Sequence, residues 1–175
     1  MQTLRDRVAQ HGDELALIDE FGSWTWREYD ARLDRLVHGM RGLGLGLGHT
    51  LALLGNNRHE WCEVMSACTV SGVVTVPVNW HFSVDEIAYV LENSGATAIV
   101  ADAEFADTAR AAAERAGVAV RIAFGGPIDG VVDYDELLAS ASADEPDDLV
   151  AGATMFYTSG TTGRPKGVRS SAFPI

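Results

Sequence analysis

The feature that most limits what this sequence can fold into is its alternation of short apolar runs with one-faced amphipathic segments. Residues 51–54, 73–76, 98–100 and 118–123 are short runs rich in Val, Leu, Ile and Ala. Runs of that length without a polar face read as strands buried on both sides, and the second is expected to end at Pro77. Helical segments lie between them. Thr25 and Glu28 make a capping box, in which the Thr oxygen accepts from the third residue's N–H and the Glu reaches back. Tyr29, Leu33, Leu36, Val37 and Met40 then share one face, and the glycines of residues 42–48 stop the helix. Asn57, Arg58, His59 and Glu60 can cap a second helix whose buried face is Trp61, Val64, Met65 and Cys68. Ser83 and Glu86 form another capping box, followed by Ile87, Val90 and Leu91. Asp102 caps an alanine-rich helix running to Ala116, with Gly117 just past its end. This alternation predicts an α/β fold with a mostly parallel sheet flanked by helices. Ahead of it, residues 15–19 and 23–25 around a Gly22 turn predict an N-terminal β-hairpin.

The 175 residues are enough for one α/β core. A short helix is expected over residues 133–139. The acidic stretch 143–150, with Pro146 inside it, reads as a solvated connector. It would separate an α/β subdomain of residues 1–142 from a second subdomain beginning with a strand in residues 151–175. The net charge of −12 disfavours nonspecific nucleic-acid binding, which needs clustered Lys and Arg. Residues 64–80 are too interrupted by Ser, Thr, Pro and Asn to cross a bilayer. The first residues lack the apolar core of a secretory signal, so the expected location is cytoplasmic.

The two cysteines fit no zinc spacing, and no metal site is predicted. If Cys62 and Cys68 share a helix, about 9 Å of rise separates them, beyond the roughly 7 Å that a disulfide spans. Both are expected to be small buried groups. Trp24, Trp26, Trp61 and Trp80 are expected in the core. His59 and His81 are expected in surface or packing roles.

Chemistry concentrates after the apolar residues 153–157. Four hydroxyls, three glycines and two cations fall between residues 158 and 167. Glycines let backbone N–H groups turn toward a tetrahedral anion with no Cβ in the way. Hydroxyls add donors, and Lys166 supplies a point charge suited to a polyphosphate. This is not a Walker A loop: counting from Gly160, Pro165 stands where the second glycine belongs, and Gly167 rather than Ser or Thr follows Lys166. Residues 42–48 alternate Gly and Leu but satisfy no GxGxxG frame.

The segment Tyr157-Thr158-Ser159-Gly160-Thr161-Thr162-Gly163-Arg164-Pro165-Lys166-Gly167-Val168 resembles the phosphate-loop signature of the adenylate-forming (AMP-binding) superfamily, in its acyl-CoA synthetase, fatty-acid–CoA ligase branch. Residues 23–29, 51–56, 72–79 and 85–96 resemble further stretches of that family, so the likeness covers nearly the whole chain. The resemblance implies part of the N-terminal domain of the acyl-CoA synthetase-like fold. It also implies a two-step reaction, in which a carboxylate attacks the α-phosphate of MgATP and a thiol then displaces AMP from the acyl-adenylate. Thr158, Ser159, Gly160, Thr161, Thr162, Gly163 and Lys166 would hold the β- and γ-phosphates by charge and position. Arg164 matches a variable position. Many relatives carry a histidine where this chain has Ala172. ATP, Mg2+ and coenzyme A are the implied cofactors, and a carboxylate, with a lean toward fatty acids, is the implied substrate. The family's adenine, magnesium and ribose motifs and its mobile lysine-bearing domain would lie beyond Ile175. The chain is therefore expected to be an incomplete fragment without catalytic residues of its own, inactive alone and prone to self-association through uncovered sheet edges. Two alternatives remain: a non-catalytic interaction module, and an adenylation domain that loads a carrier protein.

Overall fold

A computed structural model describes residues 4–158 and 165–170 of the chain. After a short helix α1 (Leu4–His11), β1 (Leu15–Asp19) and β2 (Gly22–Thr25) form the expected antiparallel hairpin. Helix α2 (Trp26–Gly42) opens with the Thr25–Glu28 capping box and buries Tyr29, Leu33, Leu36, Val37 and Met40. Then follow β3 (Thr50–Leu54), α3 (His59–Ser71), β4 (Val74–Val78), α4 (Val84–Ser94) and β5 (Ala98–Asp102). A 3-10 turn (Ala103–Phe105) leads into α5 (Ala106–Ala116). The chain continues through β6 (Val120–Phe124), β7 (Val132–Asp133), α6 (Tyr134–Ser140), β8 (Ala153–Thr158) and β9 (Lys166–Arg169).

Seven strands form one sheet in the order β7-β6-β5-β3-β4-β8-β9, parallel at every pairing except β8 with β9. The period of two along each central strand divides the core. Leu51 and Leu53 of β3, with Ala98 and Val100 of β5, join one apolar cluster with α2, α3 and α6. Ala52 and Leu54, with Ile99 and Ala101, join another with α4 and α5. Both faces of the sheet are thus covered, which is why these strands carry no polar face. At full burial each such Leu contributes on the order of 2 kcal/mol.

Several local expectations change under tertiary packing. Pro77 lies inside β4 rather than at its end. Beyond Thr75 the strand has registered partners only in β3, so the missing N–H interrupts no ladder with β8. Helix α3 turns a different face inward: His59, Glu60, Glu63, Val64, Ala67 and Cys68 are buried, and Trp61 and Met65 are only half-buried. The reason is Glu63, fully enclosed yet satisfied by the Arg32 guanidinium (Nη2 to Oε2, 3.1 Å) and the Tyr134 hydroxyl at 2.7 Å. This triad ties α2, α3 and α6 together, as a buried carboxylate requires. Burial, reinforced by the adjacent Glu63, pushes the Tyr134 phenol well above its ordinary range and keeps it a donor. None of the four tryptophans is fully buried, and Cys62 is exposed while Cys68 is not. The acidic connector is exposed apart from buried Pro146 and half-buried Leu149, and is tethered through Glu145 to Arg5 and Asp148 to Arg41.

Candidate functional site

Because β8 runs parallel to β4, Thr158 at its end lies on the edge of the sheet where β3, β4, β5 and β6 also finish. Open α/β sheets bind ligands at this carboxyl edge, near the strand where the order reverses. Here that strand is β3, with β4 on one side and β5 on the other.

Two flanks of the edge differ. On the β5–β6 flank a cavity of about 250 Å³ is lined by Phe21, Asn57, Arg58, Asp102, Glu104 and Gly125. Its wall includes the hairpin turn, with the Arg58 guanidinium 3.7 Å over the Phe21 ring. Gly125, at φ +79°, brings its backbone against Arg58 and Asp102; a Cβ there would lie 3.0 Å from each side chain. On the β4–β8 flank, β8 and β9 form an antiparallel hairpin in which Thr158 is the register partner of Lys166 and Tyr157 of Gly167. The turn that joins them is the segment the sequence marks for phosphate.

Of the predicted contact residues, Thr158 and Lys166 are described, and the pairing brings them face to face at the two ends of the turn, both exposed. Ser159, Gly160, Thr161, Thr162 and Gly163 lie outside the described residues. Among the described residues Lys166, the only lysine in the sequence, makes no ion pair. A hydroxyl and an ammonium that makes no ion pair among the described residues thus stand opposite each other across the strand pair.

The hairpin is fixed from behind by α4. Tyr157 donates its hydroxyl to Asn93 Oδ1 at 2.8 Å, and Tyr89 donates to the Pro165 carbonyl at 3.2 Å. Burial raises the Tyr157 phenol above its ordinary value, with Tyr89 adding to the effect, so the Tyr157 hydroxyl stays a protonated donor at neutral pH. Gly167 lies under this contact; a Cβ there would come within 3.0 Å of Met155 Sδ and the Tyr157 ring. The sequence reading missed Tyr89 and Asn93. Their spacing of four, which places both on one helix face, is the signal that could have found them.

Elsewhere on the edge, Trp80 is 43% exposed and stacks on His81 and Phe105, with centroids at 3.4 and 5.6 Å. Among the described residues, Asp19, His59 and Glu60 have ligand atoms within 4.8 Å of one another. They are already engaged. Asp19 accepts from the His59 ring and backbone N–H, at 2.8 and 2.9 Å, while Arg58 pairs with Glu60 at 2.7 Å. The Asp19–His59 contact is a hydrogen-bonded staple between hairpin and helix, and no step involving magnesium is assigned to it. Burial lifts the Cys62 thiol above its usual value and the Cys68 thiol to about 12, so neither is a thiolate nucleophile at neutral pH. Among the described residues, no helix is long and apolar enough to cross a membrane.

The sequence profile of the family described as "AMP-binding enzyme" matches residues 4–173. A feruloyl-CoA synthase of Amycolatopsis sp. is 37% identical over 147 residues, covering 82% of this chain and 27% of that protein. The fatty acid–[acyl-carrier-protein] ligase ScoC of Streptomyces coeruleorubidus is 30% identical over 175 residues, covering 96% and 33%. Among solved structures, the anthranilate CoA ligase AuaEII in complex with anthranoyl-AMP superposes with a TM-score of 0.88 over 95% of this chain and 33% of that one. At 20% identity that likeness bears on the fold alone. The chain spans about a quarter to a third of the length of these curated relatives.

Proposed function

Because this chain belongs to the AMP-binding enzyme family, we propose that it carries the triphosphate-gripping turn of an enzyme that activates a carboxylic acid with ATP and passes the acyl group to a thiol. In the first step a carboxylate oxygen bonds to the α-phosphorus, the bond to the bridging oxygen breaks, and pyrophosphate leaves. In the second, a thiol sulfur bonds to the acyl carbon and AMP departs. The chain's own part is to bind and orient: the Lys166 ammonium and the Thr158 hydroxyl hold the β- and γ-phosphates. Ser159, Gly160, Thr161, Thr162 and Gly163 add hydroxyls and backbone N–H groups along the turn. Charge that builds on the departing pyrophosphate meets donors already in place. The observation that carries this reading is the pairing of Thr158 with Lys166 across the β8–β9 hairpin at the carboxyl edge.

The acyl substrate is proposed to be a fatty acid and the acceptor thiol coenzyme A. Delivery to a carrier protein is the second reading, favoured by the match to ScoC along 96% of this chain. Phe156 and Val168, cross-strand partners 53% and 59% exposed, support self-association through the open face of the β8–β9 hairpin. Light scattering across a concentration range tests that point; a monomer throughout would refute it.

The site is tested on the chain itself. An acyl-phosphate derivative of ATP, which transfers its acyl group to a lysine beside bound phosphates, is expected to modify Lys166, and excess MgATP is expected to suppress the reaction. Modification no faster than that of the unfolded chain, or indifferent to MgATP, would overturn the assignment. Carboxylate-dependent ATP–pyrophosphate exchange by the polypeptide of the full reading frame, across fatty and aromatic acids, tests the reaction and its substrate.

A further inference from the structure

Helix α4 presents Tyr89 and Asn93 four positions apart, so both side chains rise from one face about 6 Å apart along the axis. Two paired strands lie roughly 4.8 Å apart. That match lets a single helix reach both arms of the β8–β9 hairpin. Asn93 accepts from Tyr157, one residue before Thr158, and Tyr89 donates to the carbonyl of Pro165, one residue before Lys166. The contacts therefore bracket the Thr158–Lys166 pair from behind, one on each arm.

The packing around them leaves little slack. Met155 and Tyr157 are half-buried against the cluster formed by α4 and α5, and Tyr89 packs against the same cluster. A Cβ at Gly167 would stand 3.0 Å from Met155 Sδ and the Tyr157 ring, so these would have to shift to admit a side chain. By contrast the other face of the hairpin, Phe156 and Val168, is exposed. Among the described residues the ends of β8 and β9 are thus held from the α4 side, and the two tyrosine hydroxyls are the directional part of that hold.

We propose that Tyr89 is a positioning residue for the phosphate-gripping turn: by anchoring the Pro165 carbonyl to α4 it fixes where the Lys166 ammonium stands before nucleotide arrives. The inference rests on the phosphate reading of that turn. Losing one neutral hydrogen bond raises the frequency of local opening by about threefold to tenfold. Weaker preorganisation lowers apparent nucleotide affinity by a similar factor, because only the competent fraction binds.

The single lysine makes the experiment specific. Lysyl endopeptidase can cut this chain at one place, after Lys166, and native-state cleavage reports opening at that bond. Tyr89→Phe keeps the ring and removes the hydroxyl. In the 175-residue chain it is expected to speed cleavage about threefold to tenfold at an unchanged melting temperature, and to raise the MgATP concentration that half-protects the bond by a similar factor. Tyr157→Phe, on the other arm, is expected to act in the same direction. Cleavage and protection both equal to wild type in Tyr89→Phe would overturn the role of Tyr89. Faster cleavage with an unchanged MgATP midpoint would reduce Tyr89 to structural support and also overturn the proposal. A fall in melting temperature that accounts for the faster cleavage would do the same. If MgATP fails to protect Lys166 in the wild-type chain, the phosphate reading itself falls, an outcome distinct from the other three.

Discussion

Gly152 enters β8 with its N–H on the Thr69 carbonyl at 2.8 Å, where the chain passes over the end of α3. A Cβ at this position would lie 2.0 Å from the Cys68 carbonyl oxygen and 2.5 Å from that of Val73. Both obstacles are backbone, so no rotamer change relieves them. Gly152→Ala is expected to destabilise the protein by at least about 1–3 kcal/mol, the range for overpacking a tight site. A urea midpoint equal to that of wild type would show that the close approach is not needed. Gly167 is a milder case, because its obstacles are the Met155 thioether and the Tyr157 ring, which can shift. The sequence shows both glycines but gives no sign of which one is constrained by space and which by the phosphate motif. That difference depends on the carbonyls of Cys68 and Val73, far from Gly152 along the chain, and on a ring directly opposite Gly167 across a strand pair.

Helix α3 begins without a side-chain cap of its own; Arg58 occupies the N-cap position and donates nothing to the first turn. The hairpin supplies the cap. Asp19 Oδ2 accepts from the His59 N–H and ring, Oδ1 accepts from the N–H groups of Phe21 and Gly22, and Trp24 stacks on the His59 ring at 3.9 Å. Burial alone would raise the Asp19 carboxyl, but these bonds outweigh it and bring the pKa down to about 2. Because the folded value lies below the unfolded value of about 4, the stabilisation is fully present above about pH 4. It is lost as pH falls through about 2, where the native carboxylate must also take a proton. Asp19→Asn is expected to cost on the order of 1–2 kcal/mol at about pH 6, with the gap to wild type narrowing below about pH 4. Paired denaturant titrations at about pH 6 and about pH 3 measure it, and a gap that does not change with pH would remove the carboxylate from the account. The helix itself was legible from Trp61, Val64, Met65 and Cys68, of which Val64 and Cys68 are buried, but its cap was not, since the capping group stands 40 positions upstream on another element.

At the scale of the molecule, β8 belongs to the same sheet as β3–β7 through its pairing with β4, and its side chains reach α4. The ion pairs that tether the acidic connector are exposed on the carboxylate side and contribute little each. Sheet pairing and the fit at Gly152 are the stronger links. Thermal unfolding is therefore expected as one cooperative transition, with far-UV circular dichroism and tryptophan fluorescence coinciding. Separate transitions would instead mark residues 151–170 as an independent unit. Asp102 caps the 3-10 turn before α5 and not α5 itself, whose N-cap position, Phe105, makes no side-chain cap. Taken by itself, the sequence determined the alternation of strands and helices from β1 to β6, the parallel sheet, the two capping boxes at Thr25 and Ser83, and the phosphate signature. Those are statements about residues within a turn or two of each other, where periods of 2 and 3.6 and fixed cap spacings are written directly in the chain. Tertiary structure alone decided which face of α3 turns inward around Glu63, that no tryptophan is fully buried, and that two tyrosine hydroxyls link β8 and the start of β9 to α4. Those depend on partners 64 to 76 positions apart for the tyrosine links and 31 to 71 for Glu63. Over such distances no local pattern records a contact, and only the packing of both faces of one sheet brings the partners together.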